Sequence, residues 1–179
     1  MSKYIFSIDV ECIGLYGDVF SVGVSIMDET GNEVDNLFLR ADHNINNINN
    51  NSYHNLFDNI KWIGEHVIPT LGPVNCDDLL DLRDQFWDFY IESKKKYPNM
   101  IVVSDCGSPC ESGFFRTCIL DDLVHRQWLG PYPLHELGTL LLARGKDPIG
   151  TYERNNDELP KHNPLCDARQ SGRIWIENQ

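Results

Sequence analysis

The strongest constraint on this chain lies in its first strand-like segment. From Tyr4 to Glu11 the residues alternate: Tyr4, Phe6, Ile8 and Val10 fall on one side, and Ile5, Ser7, Asp9 and Glu11 on the other. A period of two is the signature of a β-strand. The pattern predicts a buried strand whose second face turns polar at its end. Asp9 and Glu11 are two apart, so both carboxylates face the same way. Two close carboxylates repel each other when ionised, and a bound cation relieves that repulsion. Oxygen ligands of this kind suit magnesium or manganese.

Gly14 to Asp18 reads as a turn and Val19 to Met27 as a second strand. Thr30-Gly31-Asn32 is a hairpin signal, and Glu33 to Arg40 follows as a third strand. Asn44 to Asn51 holds six asparagines in eight residues, a composition that favours a loop. Leu56, Ile60, Ile63 and Val67 recur at helical spacing, and Pro69 ends that helix. A second helix is predicted from about Asp77 to Tyr97, with Leu79, Leu82, Phe86 and Phe89 on its apolar face. Aspartates at its start and Lys94, Lys95 and Lys96 at its end complement the helix dipole. The lysines therefore read as a solvated helix end rather than a nucleic-acid patch.

Met100 to Ser104 is a short apolar run, a central strand that delivers Asp105 at its carboxyl end. Ser108, Pro109 and Glu111 have the spacing of a capping box, opening a helix that continues to about Arg126. Leu134 to Ala143 is apolar and reads as helical. Asn163 is a second candidate N-cap, with Pro164 in the first helical position and a last helix to about Ile176. No linker or repeat divides residues 1–179, so the expectation is one α/β domain on a mixed sheet.

Composition narrows the functional classes. The net charge of −12 argues against binding nucleic acid through a broad basic surface. It leaves room for a site that holds phosphate through bound cations. No apolar run reaches the length of a membrane helix, and the N-terminus lacks the pattern of a signal peptide. An intracellular, cytoplasmic location is the default expectation. None of the six cysteines forms a CxxC pair, which disfavours a zinc ribbon. Cys12, Cys106 and Cys166 each neighbour a proposed ligand and read as small buried residues packing behind the carboxylates.

Asp105 ends a separate strand, and Asp167 falls in the first turn of the last helix, where the dipole favours its ionised form. With Asp9 and Glu11 these make four carboxylates at element ends. If they converge, they would hold two metals roughly 3.5–4 Å apart, the spacing of two-metal phosphodiester sites. His162 lies five positions before Asp167 in the incoming loop, and an imidazole suits a general base near neutral pH. Each residue also has an ordinary reading. Asp9 and Glu11 are also read as strand charges, Asp105 as a turn former, Asp167 as a dipole partner and His162 as a loop residue. Lys161, Arg169 and Arg173 read equally as phosphate contacts or a solvated helix face.

Asp9-Val10-Glu11, Asp105 after an apolar run, and His162-Asn163-Pro164-Leu165-Cys166-Asp167 occur in that order. Together they resemble the three motifs of the DEDDh 3′–5′ exonucleases, which have the ribonuclease H-like fold. Pro133-Leu134-His135-Glu136-Leu137-Gly138-Thr139 is similar to a stretch in the small exoribonuclease-like proteins of actinobacteria and phages. The resemblance spans Tyr4 to Trp175. It implies a ribonuclease H-like mixed sheet flanked by helices, and two divalent cations, Mg²⁺ or Mn²⁺, on Asp9, Glu11, Asp105 and Asp167. His162 would be the general base. The backbone of Cys12, Ile13 and Gly14 would lie beside the terminal nucleotide, where Gly14 permits close approach. The implied substrate is single-stranded nucleic acid, RNA ahead of DNA, cut from its 3′ end to 5′-mononucleotides. The resemblance also points to a homodimer. A DNA-directed repair or proofreading nuclease is the second reading, and a non-catalytic nucleic-acid-binding module the third.

Overall fold

The computed structural model describes residues 3–42 and 56–179. The asparagine-rich stretch Asn44–Asn51, expected as a loop, lies outside them. Three strands come first, β1 (Tyr4–Cys12), β2 (Val19–Met27) and β3 (Glu33–Arg40). Then come α1 (Leu56–His66), a 3-10 turn at Ile68–Thr70, α2 (Leu79–Lys96) and β4 (Met100–Ser104). The chain ends with α3 (Cys110–Asp121), α4 (Leu123–Arg126), β5 (Leu134–Glu136), α5 (Leu137–Ala143) and α6 (Pro164–Glu177). The five strands form one sheet in the order β3-β2-β1-β4-β5. β2 runs antiparallel to β1 and β3, while β4 and β5 run parallel to β1. This is a mixed α/β sheet with helices on both faces, as the ribonuclease H-like resemblance implies.

The alternation of β1 decides what covers each face. Phe6, Ile8 and Val10 join Val22, Val24 and Ile26 of β2 and Leu82, Phe86 and Tyr90 of α2 in the larger core, which also takes Phe114 and Phe115 of α3. On the opposite face Ile5 packs with Val103, Leu137, Leu141, Ile174 and Trp175 under α5 and α6. A third cluster, Ile13, Phe20, Ile63 and Val67, seats α1 against the open end of the sheet.

The α6 face of the sheet is lined by small residues where the helix crosses it. Ser7, Ser21 and Ser25 are fully buried there. A Cβ at Gly23 would lie 2.1 Å from the Pro164 carbonyl carbon and from Leu165 N. One at Gly172 would lie 3.1 Å from Ser7 Cβ. Bulkier side chains at these positions would hold α6 off the sheet, because interiors are close-packed.

Three expectations are corrected. Leu134–Glu136 is a strand, not the start of a helix: Leu134, His135 and Glu136 pair with Val102, Val103 and Ser104. Three residues are too few to display a period of two, and the leucines after them carry the helical spacing of α5. Ser108 and Pro109 do not form the expected capping box. Pro109 is the N-cap, makes no side-chain cap bond, and the helix begins at Cys110. That helix also stops at Asp121, short of Arg126, because the Asp122 side chain accepts from His125 N and starts the separate turn α4. At the other predicted cap, Asn163 accepts from Leu165 N at 3.1 Å and Cys166 N at 3.3 Å, with Pro164 first in the helix.

Candidate active site

Asp9 and Glu11 lie on the α6 face near the carboxyl end of β1, opposite Gly23 and Ser21 of β2. Since Pro164 and Leu165 rest on Gly23, the first turn of α6 sits over this pair and brings Asp167 to it. Ser104 pairs with Ile8 in the parallel ladder, so Asp105, the next residue, emerges beside Asp9. Donor atoms of Glu11, His162 and Asp167 all lie within 4.8 Å of one another. The sheet register, the Gly23 contact and the Asn163 cap together gather residues spread over more than 150 positions of sequence.

The electrostatics of the cluster are strained. Burial pushes the Asp9 carboxyl well above its ordinary range, and Glu111, Asp167, Glu11 and Asp105 push it further, in that order. Glu11 rises to about 8, first through burial and then through Asp167, Cys110 and Glu111. Asp105 is open to solvent on its outer side; crowding protein, Asp167 and Glu136 raise it, and Arg154 opposes them. Several carboxyls held above their ordinary values in one place are a site that positive charge would discharge.

Glu111 is the residue sequence reasoning missed. Its spacing from Ser108 fits the third position of a capping box, a role that accounts for a glutamate without chemistry. In the structure it lies in the first turn of α3 and is 5% exposed, with Oε2 buried and without a hydrogen-bond partner. Its pKa rises to about 8, chiefly through burial, with Cys110 and Asp105 adding to it. Its carboxylate is the foremost charge acting on Asp9. The sequence carried one usable signal, the placement of Glu111 six residues beyond Asp105 at a helix start facing the same end of the sheet.

Asp167 is held by two donors. Arg154 pairs with Oδ1 through its guanidinium, and His162 N donates to Oδ2 at 3.0 Å. Arg154 also donates to the Glu158 carbonyl at 2.8 Å, while its Nε is buried and unpartnered. Arg154 thus places one fixed positive charge at the rim of the cluster. No sequence motif marked it.

His162 has φ of 62°, in the left-handed region where a non-glycine residue is strained. Thr70 Oγ1 donates to its carbonyl at 2.6 Å, and Asn163 Nδ2 donates to the Thr70 carbonyl at 2.9 Å. The edge of the imidazole meets Trp62, with ring centroids 5.1 Å apart, and Trp62 stacks on His66. The ring is therefore fixed toward Glu11 and Asp167 by α1 and the turn that follows it.

The remaining candidates separate. Gly14 takes a positive φ of 68° at the turn, a backbone conformation that favours glycine whatever lies beside it. The Ile13 side chain is buried against Phe20, Ile63 and Val67, and Cys12 is half-buried with its sulfur 3.3 Å from Cys110 Sγ. Cys166 is buried as expected, but Cys106 is exposed. Arg169 forks onto Glu33 at 2.8 and 2.9 Å, and Arg173 binds Glu158 and Glu177, so both are structural. Lys96 pairs with Asp35 and Lys94 donates to the Leu129 carbonyl, which fits the helix-end reading of the lysine triplet. Trp87 and Trp175 are core residues, whereas Trp62 and Trp128 stand at the surface. No helix among the described residues is long and apolar enough to cross a membrane.

No family model matches the chain, and no curated protein does. Solved structures similar to it include the 3′-exonuclease in 3′-end specific recognition of histone mRNA stem-loop, at 12% identity and a TM-score of 0.48. The match covers 98% of this chain and 80% of that one. Another is the nuclease domain of 3′hExo, a DEDDh family member, bound to rAMP, at 12% identity and a TM-score of 0.46, covering 98% of this chain and 90% of that one.

Proposed function

We propose that this protein is a metal-dependent 3′–5′ exonuclease acting on single-stranded nucleic acid, with RNA preferred to DNA. The carrying observation is the approach of Glu11, His162 and Asp167 to within 4.8 Å beside the buried carboxyls of Asp9 and Glu111. The donor set is oxygen-rich with one imidazole, which suits Mg²⁺ or Mn²⁺. Asp9, Glu11 and Asp167 would hold the ions. Glu111, with its unpartnered oxygen, and Asp105 are the candidates for the fourth carboxylate. When bound, a pair of divalent ions supplies an activated water and neutralises the leaving oxygen of a phosphodiester.

The chain's own residues supply the rest. His162, fixed by Trp62 and Thr70, takes a proton from the attacking water and is the general base. The backbone of Cys12 to Gly14 lies alongside the terminal nucleotide. Arg154 pairs with Asp167 and keeps its carboxylate aimed at the site. A DNA-directed nuclease uses the same groups, since discrimination needs a contact to the 2′-hydroxyl.

Competition between labelled RNA and DNA strands of one sequence, with Mg²⁺ or Mn²⁺, tests the preference. RNA should disappear first, and the Asp9→Ala protein should spare both. Faster loss of DNA would assign the second substrate. Tight, salt-dependent binding with no turnover in any metal would leave only a binding module.

A further inference from the structure

The turn that follows Glu11 and the exposed side of α3 enclose a groove of about 560 Å³. Ile13, Leu15, Tyr16, Cys110, Arg116 and Leu120 are among its walls. It borders the carboxylate cluster at Cys110, which immediately precedes Glu111, acts electrostatically on Glu11 and Glu111, and touches the Cys12 sulfur next to Glu11. Its volume is that of a small-molecule site.

Two features set this groove apart from ordinary surface. Leu15, Tyr16 and Leu120 are 64%, 77% and 55% exposed, so apolar and aromatic area is left open beside a highly polar cluster. The second feature is Arg116. Seven of the eight arginines are engaged within the protein. Arg83, Arg126, Arg154, Arg169 and Arg173 pair with carboxylates, and Arg40 and Arg144 donate to carbonyls. Among the described residues Arg116 makes no ion pair and no side-chain hydrogen bond, although the chain carries a net charge of −12.

We infer that this groove holds the nucleotides upstream of the 3′-terminal one, with bases against Tyr16 and Leu120 and a phosphate on Arg116. The inference rests on the nuclease reading and adds to it a second binding region. An aromatic ring beside exposed aliphatic surface accepts any base through its π-face, so binding there is tolerant of sequence. A guanidinium with free N–H groups is the side chain best matched to phosphate. The Cys110 border with the cluster points to the occupant: a strand whose last phosphodiester lies at Asp9 and Glu11 must leave along a neighbouring surface, and this groove adjoins the cluster there.

Two measurements separate the groove from the nuclease reading. Hydrolysis of a mononucleotide p-nitrophenyl ester with Mn²⁺ tests the cluster alone, because that substrate has no upstream nucleotide. Fluorescence anisotropy of a labelled single-stranded hexanucleotide, in the Asp9→Ala background where the strand survives, tests the groove. Adding Arg116→Ala or Tyr16→Ala should raise the hexanucleotide Kd about tenfold each, from the strength of one stacked base or one charge-assisted contact. Arg116→Ala should also reduce the salt slope of log K by about 0.7, one phosphate's worth for a single strand. Tyr16→Phe should bind as the parent does. Thermal melting checks that each variant folds. A parent that does not bind the hexanucleotide overturns the inference, and so does a Kd within twofold of the parent in both variants. No ester hydrolysis together with intact, groove-dependent binding would overturn the nuclease reading instead.

Discussion

The Cβ that Gly23 lacks would lie 2.1 Å from the carbonyl carbon of Pro164. Gly23 is also the residue paired with Asp9 across β1 and β2. The contact that seats the last helix is therefore made directly beside the first carboxylate of the cluster. Gly23→Ala must push the α6 N-terminus outward, since its neighbours there are backbone atoms. The expected cost is about 3 kcal/mol, a fall in Tm of about 6–12 °C for a chain of this size. Gly64→Ala, in α1 with nothing within 4 Å of the added methyl, should raise stability by up to about 1 kcal/mol. Differential scanning calorimetry of the two variants makes the comparison; equal Tm values would show that α6 does not depend on this contact.

Glu111 and Asp105 can be ranked by isosteric replacement. Glu111 is buried with an unpartnered oxygen, while Asp105 faces solvent. Glu111→Gln should lower nuclease turnover by about 10- to 100-fold, the scale of losing a metal-site partner. It should also raise the metal-free Tm, because one member of a repelling set is gone. The test is turnover and melting side by side for Glu111→Gln and Asp105→Asn. The reverse ranking would return the fourth position to Asp105 alone.

The raised carboxyls give a pH dependence of definite sign. Glu11 and Glu111 move from an ordinary value near 4.5 to about 8 on folding, and Asp9 moves in the same direction. The folded protein therefore binds more protons than the unfolded chain between about pH 4.5 and 8. Stability from these groups is present below the unfolded pKa and is lost as pH rises through the folded one. With EDTA present, Tm should fall from pH 5.5 to pH 8.5, and saturating Mn²⁺ should flatten that fall. Glu33 and Glu158, which arginines hold below their ordinary range, act below about pH 4.5, whereas Cys110, which Cys12 lowers to about 7, and His135, lowered by burial, oppose the fall within the interval through smaller shifts than those of Glu11 and Glu111. A metal-free Tm that rises over this interval would remove the electrostatic account.

Arg154 is the fixed counter-charge of Asp167. Arg154→Ala leaves a half-buried carboxylate facing the cluster with one fewer neutralising partner. Metal-free stability should drop by about 2 kcal/mol, less than the loss of a fully buried partner because both side chains retain some solvent contact. The stabilisation produced by Mn²⁺ should be larger than in the parent, since the ion then meets uncompensated charge. Thermal shift with and without Mn²⁺ measures both. A smaller metal-induced shift would mean that Arg154 assists ion binding instead of substituting for it.

Alternation made β1 legible, the hairpin signal at Thr30–Asn32 and the apolar run at Met100–Ser104 marked the next three strands, and helical spacing and the Asn163 cap marked α2 and α6. Leu134–Glu136 was not legible: a three-residue edge strand leaves no alternation, and its parallel partner β4 lies thirty residues away. The site was half legible. Asp9, Glu11, His162 and Asp167 stood out as a short-range pattern, and the structure brings them together. Glu111 and Arg154 did not, since a glutamate in a first helical turn and an arginine in a polar loop have ordinary roles. Only the tertiary approach of α3 and of the loop before α6 makes Glu111 a buried neighbour of Asp9 and Arg154 a partner of Asp167.

The most direct test of the central claim is the fate of a 5′-labelled single-stranded RNA incubated with the protein and Mn²⁺. The account predicts a ladder that shortens from the 3′ end, release of 5′-mononucleotides, no product with EDTA and none with Asp9→Ala. An RNA that keeps its length, or a ladder that the Asp9→Ala protein produces equally well, would contradict it.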